Sequence, residues 1–337
     1  MAVTPATKLD AQKLRADFAV FEELFNGKPV AYLDSASSTQ KPRQVLDAMR
    51  EFYEHSYANV HRGVYTLAER ATAGYEGARE KVRAYINAPS NREVIFTRSA
   101  TEAINLIAYS WGLDNLGPGD VVVITELEHH ANFVPWQFVA QRTGAQFAHI
   151  PIDDYGELQL DALDEIATRG NIKVVANNLV SNTLGTINPV EKLAAWAHEQ
   201  GGIMVVDAAQ AAPHRHIDVQ ALGCDFLAFS SHKLCGPSGV GALWGKRELL
   251  EEMQPFNLGG EMIRSVALER TSWNELPYKF EAGTPAIAEA FGFGQAIDYV
   301  SAVGLEAIEA HEHELAVQTM DRLAEIPGIR VFGPPAD

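Results

Sequence analysis

The segment with the clearest chemical potential is Asp225–Gly241, where an apolar stretch gives way to polar residues and glycines. Phe226–Phe229 has the length and composition of a buried strand, and Ser230, His232 and Lys233 follow it closely. A lysine at the end of a buried strand loses hydration, which lowers its pKa and makes the amine a better nucleophile and base. The nearby hydroxyl and imidazole groups are suited to holding an anion. Taken alone, the segment could also be an ordinary strand-end turn with a surface lysine.

A second candidate is the carboxylate of Asp207, which ends the strongly apolar strand predicted over residues 203–207. The carboxyl ends of parallel strands form the ligand-binding edge of a sheet, and a buried carboxylate there needs a partner. Asp207 and Lys233 end two successive strands, so we expect both at the same edge. A protonated pyridine nitrogen would pair with Asp207. Pyridoxal phosphate (PLP) carries such a ring, forms a Schiff base with lysine and has a phosphate for the hydroxyls to hold.

Two further polar segments invite a functional interpretation. The adjacent His129 and His130 suggest a metal, but neighbours in extended backbone point to opposite faces and no His-Glu-x-x-His spacing is present, so we predict no metal site. One imidazole stacking on a planar ring is the alternative. Residues 99–102 form a Ser-x-x-Glu capping box whose free N–H groups suit a phosphate, although capping alone also explains the pattern.

The elements that must position these residues alternate between strands and helices from residue 92 onward, which is typical of a mostly parallel α/β sheet flanked by helices. We predict strands at 93–97, 121–125, 145–151, 173–180, 203–207, 226–229 and 240–245, and helices at 103–111, 132–143, 160–168 and 190–200. Outside this region we predict helices at 8–25, capped by Thr7, and at 42–57, 287–303 and 304–326, with strands at 30–34 and 329–332.

The chain has 337 residues, which suggests one large domain and a smaller one. We predict an N-terminal helical arm over 1–30, a large α/β domain over 31–290, and over 291–337 the start of a small α+β domain that continues beyond the sequence given. The 27 basic and 44 acidic residues give a net charge of −17, which argues against nucleic acid and anionic membranes as partners. Two cysteines, no membrane-length apolar run and a charged N-terminus predict a cytoplasmic protein without a disulfide framework.

Six motifs occur together and in order, and with them the chain resembles the group II (SUF-type) cysteine desulfurases and selenocysteine lyases. These are class V aminotransferase-like PLP enzymes of fold-type I, and the resemblance covers nearly all of residues 28–335. The motifs are Ser99-Ala100-Thr101-Glu102, Glu128-His129-His130-Ala131-Asn132, Ser181-Asn182-x-x-Gly185, Val206-Asp207-x-x-Gln210, Ser230-x-His232-Lys233 and Gly283-Thr284-Pro285.

The resemblance implies a role for each matching residue in catalysis or around the PLP ring. Lys233 would bind PLP as a Schiff base and move the proton of the substrate Cα. Asp207 would keep the pyridine nitrogen protonated, and Gln210 would hydrogen-bond the phenolic oxygen. His129 would stack on the ring and assist proton transfer.

The resemblance also implies the residues that hold the phosphate and the substrate. The phosphate would be bound at the helix start formed by Ala100 and Thr101, with Ser230 and His232. Thr284 would reach the phosphate of the neighbouring subunit, so the site would belong to a homodimer. The substrate carboxylate would contact Asn182, and a loop pair, His61 and Arg62, would line the pocket; taken alone, their loop could simply be solvated.

The implied reaction converts L-cysteine, or L-selenocysteine in its place, to L-alanine with an enzyme persulfide that a sulfur-acceptor protein receives for iron–sulfur cluster assembly. The family's Arg-x-Gly-x-x-Cys-Ala nucleophile segment is absent, and neither Cys224 nor Cys235 matches it. We therefore expect the nucleophilic cysteine beyond residue 337. Another PLP-dependent lyase or epimerase of the same fold, without a persulfide step, and a PLP-free binding protein are the alternatives.

Overall fold

A seven-stranded sheet lies at the centre of the computed structural model, which describes residues 9–335. In chain order, the strands are β1 (Leu24–Phe25), β2 (Lys28–Pro29), β3 (Val94–Thr97), β4 (Asp120–Thr125), β5 (Gln146–Ile150), β6 (Asn171–Asn178), β7 (Ile203–Asp207), β8 (Phe226–Ser230), β9 (Gly241–Gly245), β10 (Ile263–Val266) and β11 (Thr271–Trp273). The helices are α1 (Ala11–Arg15), α2 (Arg43–His55), α3 (Thr66–Tyr85), α4 (Ala100–Ile107), α5 (Leu113–Asn115), α6 (His130–Thr143), α7 (Ala162–Ala167), α8 (Val190–Glu199), α9 (Val219–Leu222), α10 (Arg247–Glu252), α11 (Ile287–Val303) and α12 (Leu305–Ala324).

The strand order in the large sheet is β3-β9-β8-β7-β6-β4-β5. The pairs among β5, β4, β6, β7 and β8 are parallel, whereas β9 runs antiparallel to both of its neighbours. β7 and β8 are adjacent and parallel, with Asp207 opposite Ala228. The carboxyl ends of these two strands therefore meet at one edge, as the sequence predicted for Asp207 and Lys233. The prediction of an α/β fold with a mostly parallel sheet is confirmed.

The central strands are apolar on both faces because helices cover both sides of the sheet. Along β8, Leu227 and Phe229 belong to one buried cluster, and Phe226 and Ala228 belong to the other. This alternation follows from the two-residue repeat of a strand. Burial on both faces fixes the strand register, and it therefore fixes the positions of the polar residues that follow the strands.

The N-terminal prediction is wrong in two respects. The helix expected over 8–25 consists of the five-residue α1, a 3₁₀ turn and the β1–β2 hairpin, because Phe18 is extended and the hairpin turn Asn26-Gly27 has positive φ at both residues. Thr7 lies outside the described residues. The strand expected over 30–34 is instead irregular chain, in which the Val30 carbonyl accepts a hydrogen bond from the Arg15 side chain (3.1 Å).

Three further differences concern the helical layers and the last residues. The sequence interpretation missed α3, a 20-residue helix in which three of the six buried residues are alanines. The strand expected over 329–332 is not formed in the described part of the chain. The predicted domain boundary at residue 290 falls inside α11. This helix packs on α2 through the stacked rings of Phe52 and Phe291, whose centroids are 4.5 Å apart. The division into domains stays a prediction. Among the described residues, no helix is long and apolar enough to cross a membrane.

Candidate active site

A cavity of about 340 Å³ opens at the carboxyl ends of β7 and β8, and both Asp207 and Lys233 line it. The two predicted reactive groups therefore share one space. The other lining residues come from the loops and helix starts that follow the parallel strands and from an N-terminal segment: Ala36, Ser37, Ser99, Ala100, Thr101, His129, Ala131, Asn178, Val180, Asn182, Ala209, Gln210, Ser230 and His232.

Asp207 supplies a buried carboxylate, with 5% of its surface exposed. Its Oδ1 accepts a hydrogen bond from the Ala209 amide (2.9 Å). Burial raises the pKa of Asp207, while that hydrogen bond and the charges of Lys233 and His129 act in the opposite direction. No cationic side chain of the described residues lies within ion-pair distance of it. A cation entering the cavity would therefore gain a strong electrostatic partner.

Lys233 ends the 3₁₀ turn Ser231–Lys233 that follows β8. Burial lowers the pKa of its amine, and the charge of Asp207 partly offsets that effect. Among the described residues its side-chain nitrogen has no hydrogen-bond partner within reach. A half-buried amine with a lowered pKa and no partner is suited to nucleophilic attack on a carbonyl carbon.

His129 caps the N-terminus of α6, where its Nδ1 accepts a hydrogen bond from the Ala131 amide (3.1 Å). The neutral ring therefore carries its proton on Nε2. Partial burial lowers the pKa of His129, which favours this neutral form. A neutral imidazole on the cavity wall can stack on a planar ring. The rings of His129 and His130 lie 5.9 Å apart and are tilted, and no group of three metal-ligating side chains lies close enough together in residues 9–335 to hold an ion.

The start of α4 forms the opposite part of the cavity. Ser99 caps the helix by accepting the Glu102 amide (3.3 Å), and Glu102 bonds the Arg98 amide (2.5 Å), so the capping box closes one residue earlier than in the standard pattern. The Ser230 hydroxyl accepts the Ala100 amide (2.8 Å) and ties the end of β8 to this helix start. The helix N-terminus beside Thr101 therefore presents a positive dipole end to the cavity.

Gln210 and His232 are held by the N-terminal segment that forms one cavity wall. The Gln210 side-chain amide donates to the Ala36 carbonyl (2.8 Å), and His232 Nδ1 lies 3.2 Å from the Ser38 hydroxyl. Burial and the charges of Lys233 and Lys41 lower the pKa of His232. Asn182 also lines the cavity.

The single chain does not bring three of the predicted residues to this cavity. His61 lies 2.9 Å from Glu76, and Arg62 forms an ion pair with Glu261 (2.7 Å). Thr284 lines a separate cavity of about 560 Å³. Their roles in a neighbouring subunit's site, or in this one, stay predictions.

The sequence interpretation included Glu128 in a motif but gave it no role; its carboxylate bonds to the first turn of α6. It accepts hydrogen bonds from the Thr125 hydroxyl (2.7 Å), the Asn132 side chain (2.6 Å) and the Asn178 amide (2.9 Å). Burial raises the pKa of Glu128 to about 7, although these hydrogen bonds oppose the shift. Its signal in the sequence was an acidic residue three positions after the end of the buried strand β4 (Asp120–Thr125), which is weaker than the signal of Asp207, the last residue of β7.

Neither described cysteine lines the cavity. Cys224 is fully buried, and burial raises the pKa of its thiol to about 12. Cys235 lies two residues after Lys233 but does not line the cavity, and its thiol is close to Thr39 and Lys41. That the nucleophile is a different cysteine, beyond residue 337, stays a prediction.

The chemistry of these groups fits pyridoxal phosphate. The cavity offers a carboxylate without a cationic partner, an amine without a hydrogen-bond partner among the described residues, a neutral imidazole and a helix N-terminus with hydroxyls. These groups match the pyridinium nitrogen, the aldehyde, the ring face and the phosphate of PLP, respectively.

Comparisons with known proteins identify the family. The aminotransferase class-V family profile matches residues 31–337, and the chain belongs to this family. A "Probable cysteine desulfurase" from Halalkalibacterium halodurans is 52% identical over 326 residues, which are 97% of this chain and 80% of that protein. The resemblance stated from the motifs is confirmed, and PLP is the cofactor that the family implies.

Two solved structures share the fold. The cysteine desulfurase from Thermococcus onnurineus has a TM-score of 0.91 and 37% identity, covering 98% of this chain and 80% of that one. A cysteine desulfurase from Escherichia coli has a TM-score of 0.88 and 38% identity, covering 97% of this chain and 80% of that one. The fold-type I prediction is confirmed by these neighbours.

Proposed function

We propose that the protein is a PLP-dependent cysteine desulfurase that acts on L-cysteine. The observation that carries the proposal is that the buried carboxylate of Asp207 and the Lys233 amine, which has no hydrogen-bond partner among the described residues, line the same cavity at the ends of adjacent parallel strands. The relatives with this name support the sulfur chemistry, because they match 97% or more of the chain. Selenocysteine is a second substrate of the same chemical class.

Bound PLP would supply an electron sink for the bond broken at the substrate Cα. The residues of the chain do the rest. The Asp207 carboxylate holds the proton on the ring nitrogen, since burial among apolar strands strengthens that contact. Lys233 takes and returns the Cα proton, and the low pKa of its amine favours the neutral base. His129 covers the ring face and assists proton transfer, and Gln210 hydrogen-bonds the phenolic oxygen.

The phosphate and substrate contacts follow the positions of the polar loops. Ala100 and Thr101 at the α4 start, with Ser230 and His232, hold the phosphate, and Asn182 binds the substrate carboxylate. In a homodimer, Thr284 reaches the phosphate of the neighbouring subunit. His61 and Arg62 would line the substrate pocket, as the resemblance to the family implies; in the single chain Arg62 forms an ion pair with Glu261 (2.7 Å) and lies outside the cavity.

The sulfur step requires a thiolate that reaches the substrate sulfur. Because neither Cys224 nor Cys235 lines the cavity, we propose that the persulfide forms on a cysteine outside residues 1–337. The sulfur then passes to an acceptor protein for iron–sulfur cluster assembly in the cytoplasm. A lyase or epimerase of the same fold is the alternative, and it would use Asp207 and Lys233 without a persulfide.

The test uses the protein incubated with PLP and then reduced with borohydride. We expect mass spectrometry to find the reduced PLP adduct on Lys233, and expect Lys233→Ala to lose the visible absorption of bound PLP while Lys192→Ala, on the exposed face of α8, keeps it. An adduct on another lysine would contradict the assignment.

Products distinguish the proposed reaction from its alternatives in the full-length protein. With L-cysteine, the desulfurase forms alanine and protein-bound persulfide, a β-lyase forms pyruvate and sulfide, and an epimerase forms D-cysteine. Pyruvate or D-cysteine as the main product would replace the proposed reaction with one of these.

A further inference from the structure

Four hydrogen-bond donors converge on one backbone oxygen, the carbonyl of His232, immediately before Lys233. They are the Thr39 amide (3.1 Å), the Thr39 hydroxyl (3.0 Å), the Lys41 ammonium (2.9 Å) and the Ser38 hydroxyl (3.3 Å). A carbonyl oxygen has two lone pairs, so this acceptor is fully used. We call residues 38–41 the clamp segment.

The clamp segment also holds Cys235, which lies two residues after Lys233. The Thr39 hydroxyl accepts a hydrogen bond from the Cys235 amide (2.9 Å) while it donates to His232. Cys235 has φ of 57°, a left-handed conformation that costs free energy for a residue with a side chain. The Thr39 hydroxyl therefore holds the turn that carries Lys233 on both sides, at His232 and at Cys235. Cys235 is also the residue with the strained backbone.

Lys41 is an unusual residue for the place it occupies. Its ammonium is partly buried, and this burial lowers its pKa. Its hydrogen bonds go to the backbone carbonyls of His232 and Thr39, and within residues 9–335 no carboxylate lies at ion-pair distance from it. A buried ammonium without an anion is costly, so its contribution here is the charged hydrogen bond to the turn.

The same N-terminal segment continues into the cavity wall. Ala36 and Ser37 line the cavity, and the Ala36 carbonyl accepts the Gln210 side-chain amide (2.8 Å). The clamp segment thus connects the cavity wall to the Lys233 turn. The turn also has contacts that do not involve the clamp segment, such as the hydrogen bond from the Ser231 amide to the Val240 carbonyl (3.1 Å).

We propose that the clamp segment, through Thr39 and Lys41, positions Lys233 for its reaction with PLP and substrate. The proposal rests on the proposed function, since it assigns the reacting amine to Lys233. Thr39 and Lys41 are positioning residues: they act through the His232 carbonyl and the Cys235 amide.

The first test measures hydrogen–deuterium exchange of the amides of residues 231–236 in the PLP-free protein, so it is independent of the proposed function. Thr39→Val removes the hydroxyl and keeps the side-chain shape, whereas Thr39→Ser keeps the hydroxyl and is the matched control. We expect exchange at residues 231–236 to accelerate about tenfold or more in Thr39→Val, because two hydrogen bonds to the turn are lost. Thr39→Ser should stay within about twofold of the unsubstituted protein, a difference too small for a lost hydrogen bond.

The second test uses Lys41→Met, which removes the ammonium, with Lys192→Met as the surface control. In the full-length protein with PLP, we expect Lys41→Met to weaken the visible circular dichroism of bound PLP, because the ring is held less rigidly. We also expect it to slow deuterium exchange at the Cα of L-cysteine about tenfold or more while the KM for L-cysteine changes little, which is the result of a misplaced proton-transfer group.

Each outcome decides the inference. Faster exchange confined to residues 231–236, with β7 amides unchanged, supports it. Two results overturn the inference. One is unchanged amide exchange in Thr39→Val together with unchanged Cα deuterium exchange in Lys41→Met. The other is amide exchange in Thr39→Val that is equally faster throughout the protein, since that result shows a general loss of stability. If the unsubstituted protein fails to bind PLP, the proposed function is refuted, while the exchange result still decides whether the clamp segment holds the turn.

Discussion

Replacing Arg79 should be among the most destabilising single changes in the protein. Only 1% of its surface is exposed, and its guanidinium donates to Glu281 through Nη1 (2.6 Å) and Nη2 (2.9 Å) and to Glu76 through Nε (2.9 Å). Arg79→Met would leave the buried Glu281 carboxylate with two neutral donors, the Tyr75 hydroxyl (3.0 Å) and the Phe96 amide (2.7 Å).

The magnitude follows from these contacts. Removing one partner of a buried ion pair costs about 3–5 kcal/mol, because the other charge stays buried without compensation. Glu281→Gln should cost less, about 1–3 kcal/mol, because Arg79 keeps its ion pair with Glu76. Combining the two changes should cost at least about 1 kcal/mol less than the sum, because residue 281 then carries no charge that needs the missing guanidinium.

Equilibrium urea unfolding at pH 7, followed by tryptophan fluorescence, measures this cycle. At pH 7 Glu76 is ionised. Burial acts to raise the pKa of Glu76, but its contacts with His61 and Arg79 outweigh burial and lower the pKa to about 2. The stability that Glu76 contributes is therefore complete above its unfolded pKa and is lost only as the pH falls toward 2. The control is Arg50→Met in an exposed pair, expected to cost less than about 1 kcal/mol.

Two results would refute this reasoning. A cost below about 1 kcal/mol for Arg79→Met would show that the buried pair does not support the fold. Additive single and double changes, within about 0.5 kcal/mol, would show that Arg79 and Glu281 are not coupled. The outcome also concerns the site, because Glu281 begins the segment that carries Thr284.

Three further predictions concern the cavity and the cysteines. Asp207→Asn keeps the acceptor for the Ala209 amide but removes the charge, so PLP should still attach to Lys233 while deuterium exchange at the Cα of L-cysteine falls by about 100-fold or more; exchange at the unsubstituted rate would show that Asp207 does not tune the ring. Because burial raises the pKa of Cys224 to about 12, iodoacetamide at pH 8 should label this thiol only after unfolding, as peptide mass spectrometry can check. Cys224→Ser and Cys235→Ser should leave sulfur transfer by the full-length protein unchanged, and a persulfide trapped on either residue would contradict that expectation.

The central sheet was predictable because its strands carry a strong local signal. β7 and β8 are short apolar runs, and the charge that follows each one, at Asp207 and Lys233, is visible in the sequence. By contrast, α3 buries alanines, whose small side chains give a weak helical pattern. The apolar residues of 8–25 have helical spacing, but Asn26-Gly27 favours a hairpin that shortens the helix.

The cavity was predictable only in part, for a related reason. Motifs identified the residues that follow the strands, but the Lys41–His232 contact joins positions 191 residues apart along the chain. Such a contact leaves no periodic pattern in one sequence. Glu128 is also an acidic residue near the end of an apolar strand, but only the fold shows that its carboxylate oxygens accept hydrogen bonds from other residues of the protein.

The position of Asp207 and Lys233 at the ends of two buried neighbouring strands has a consequence for evolution and redesign. The core fixes the strands, so the distance between the two reactive groups persists when the loops around them change. The proposed substrate contact, Asn182, lies on one of those loops. On the proposed function, new substrate preferences would therefore arise by substitutions in the loops, while Asp207 and Lys233 keep their positions.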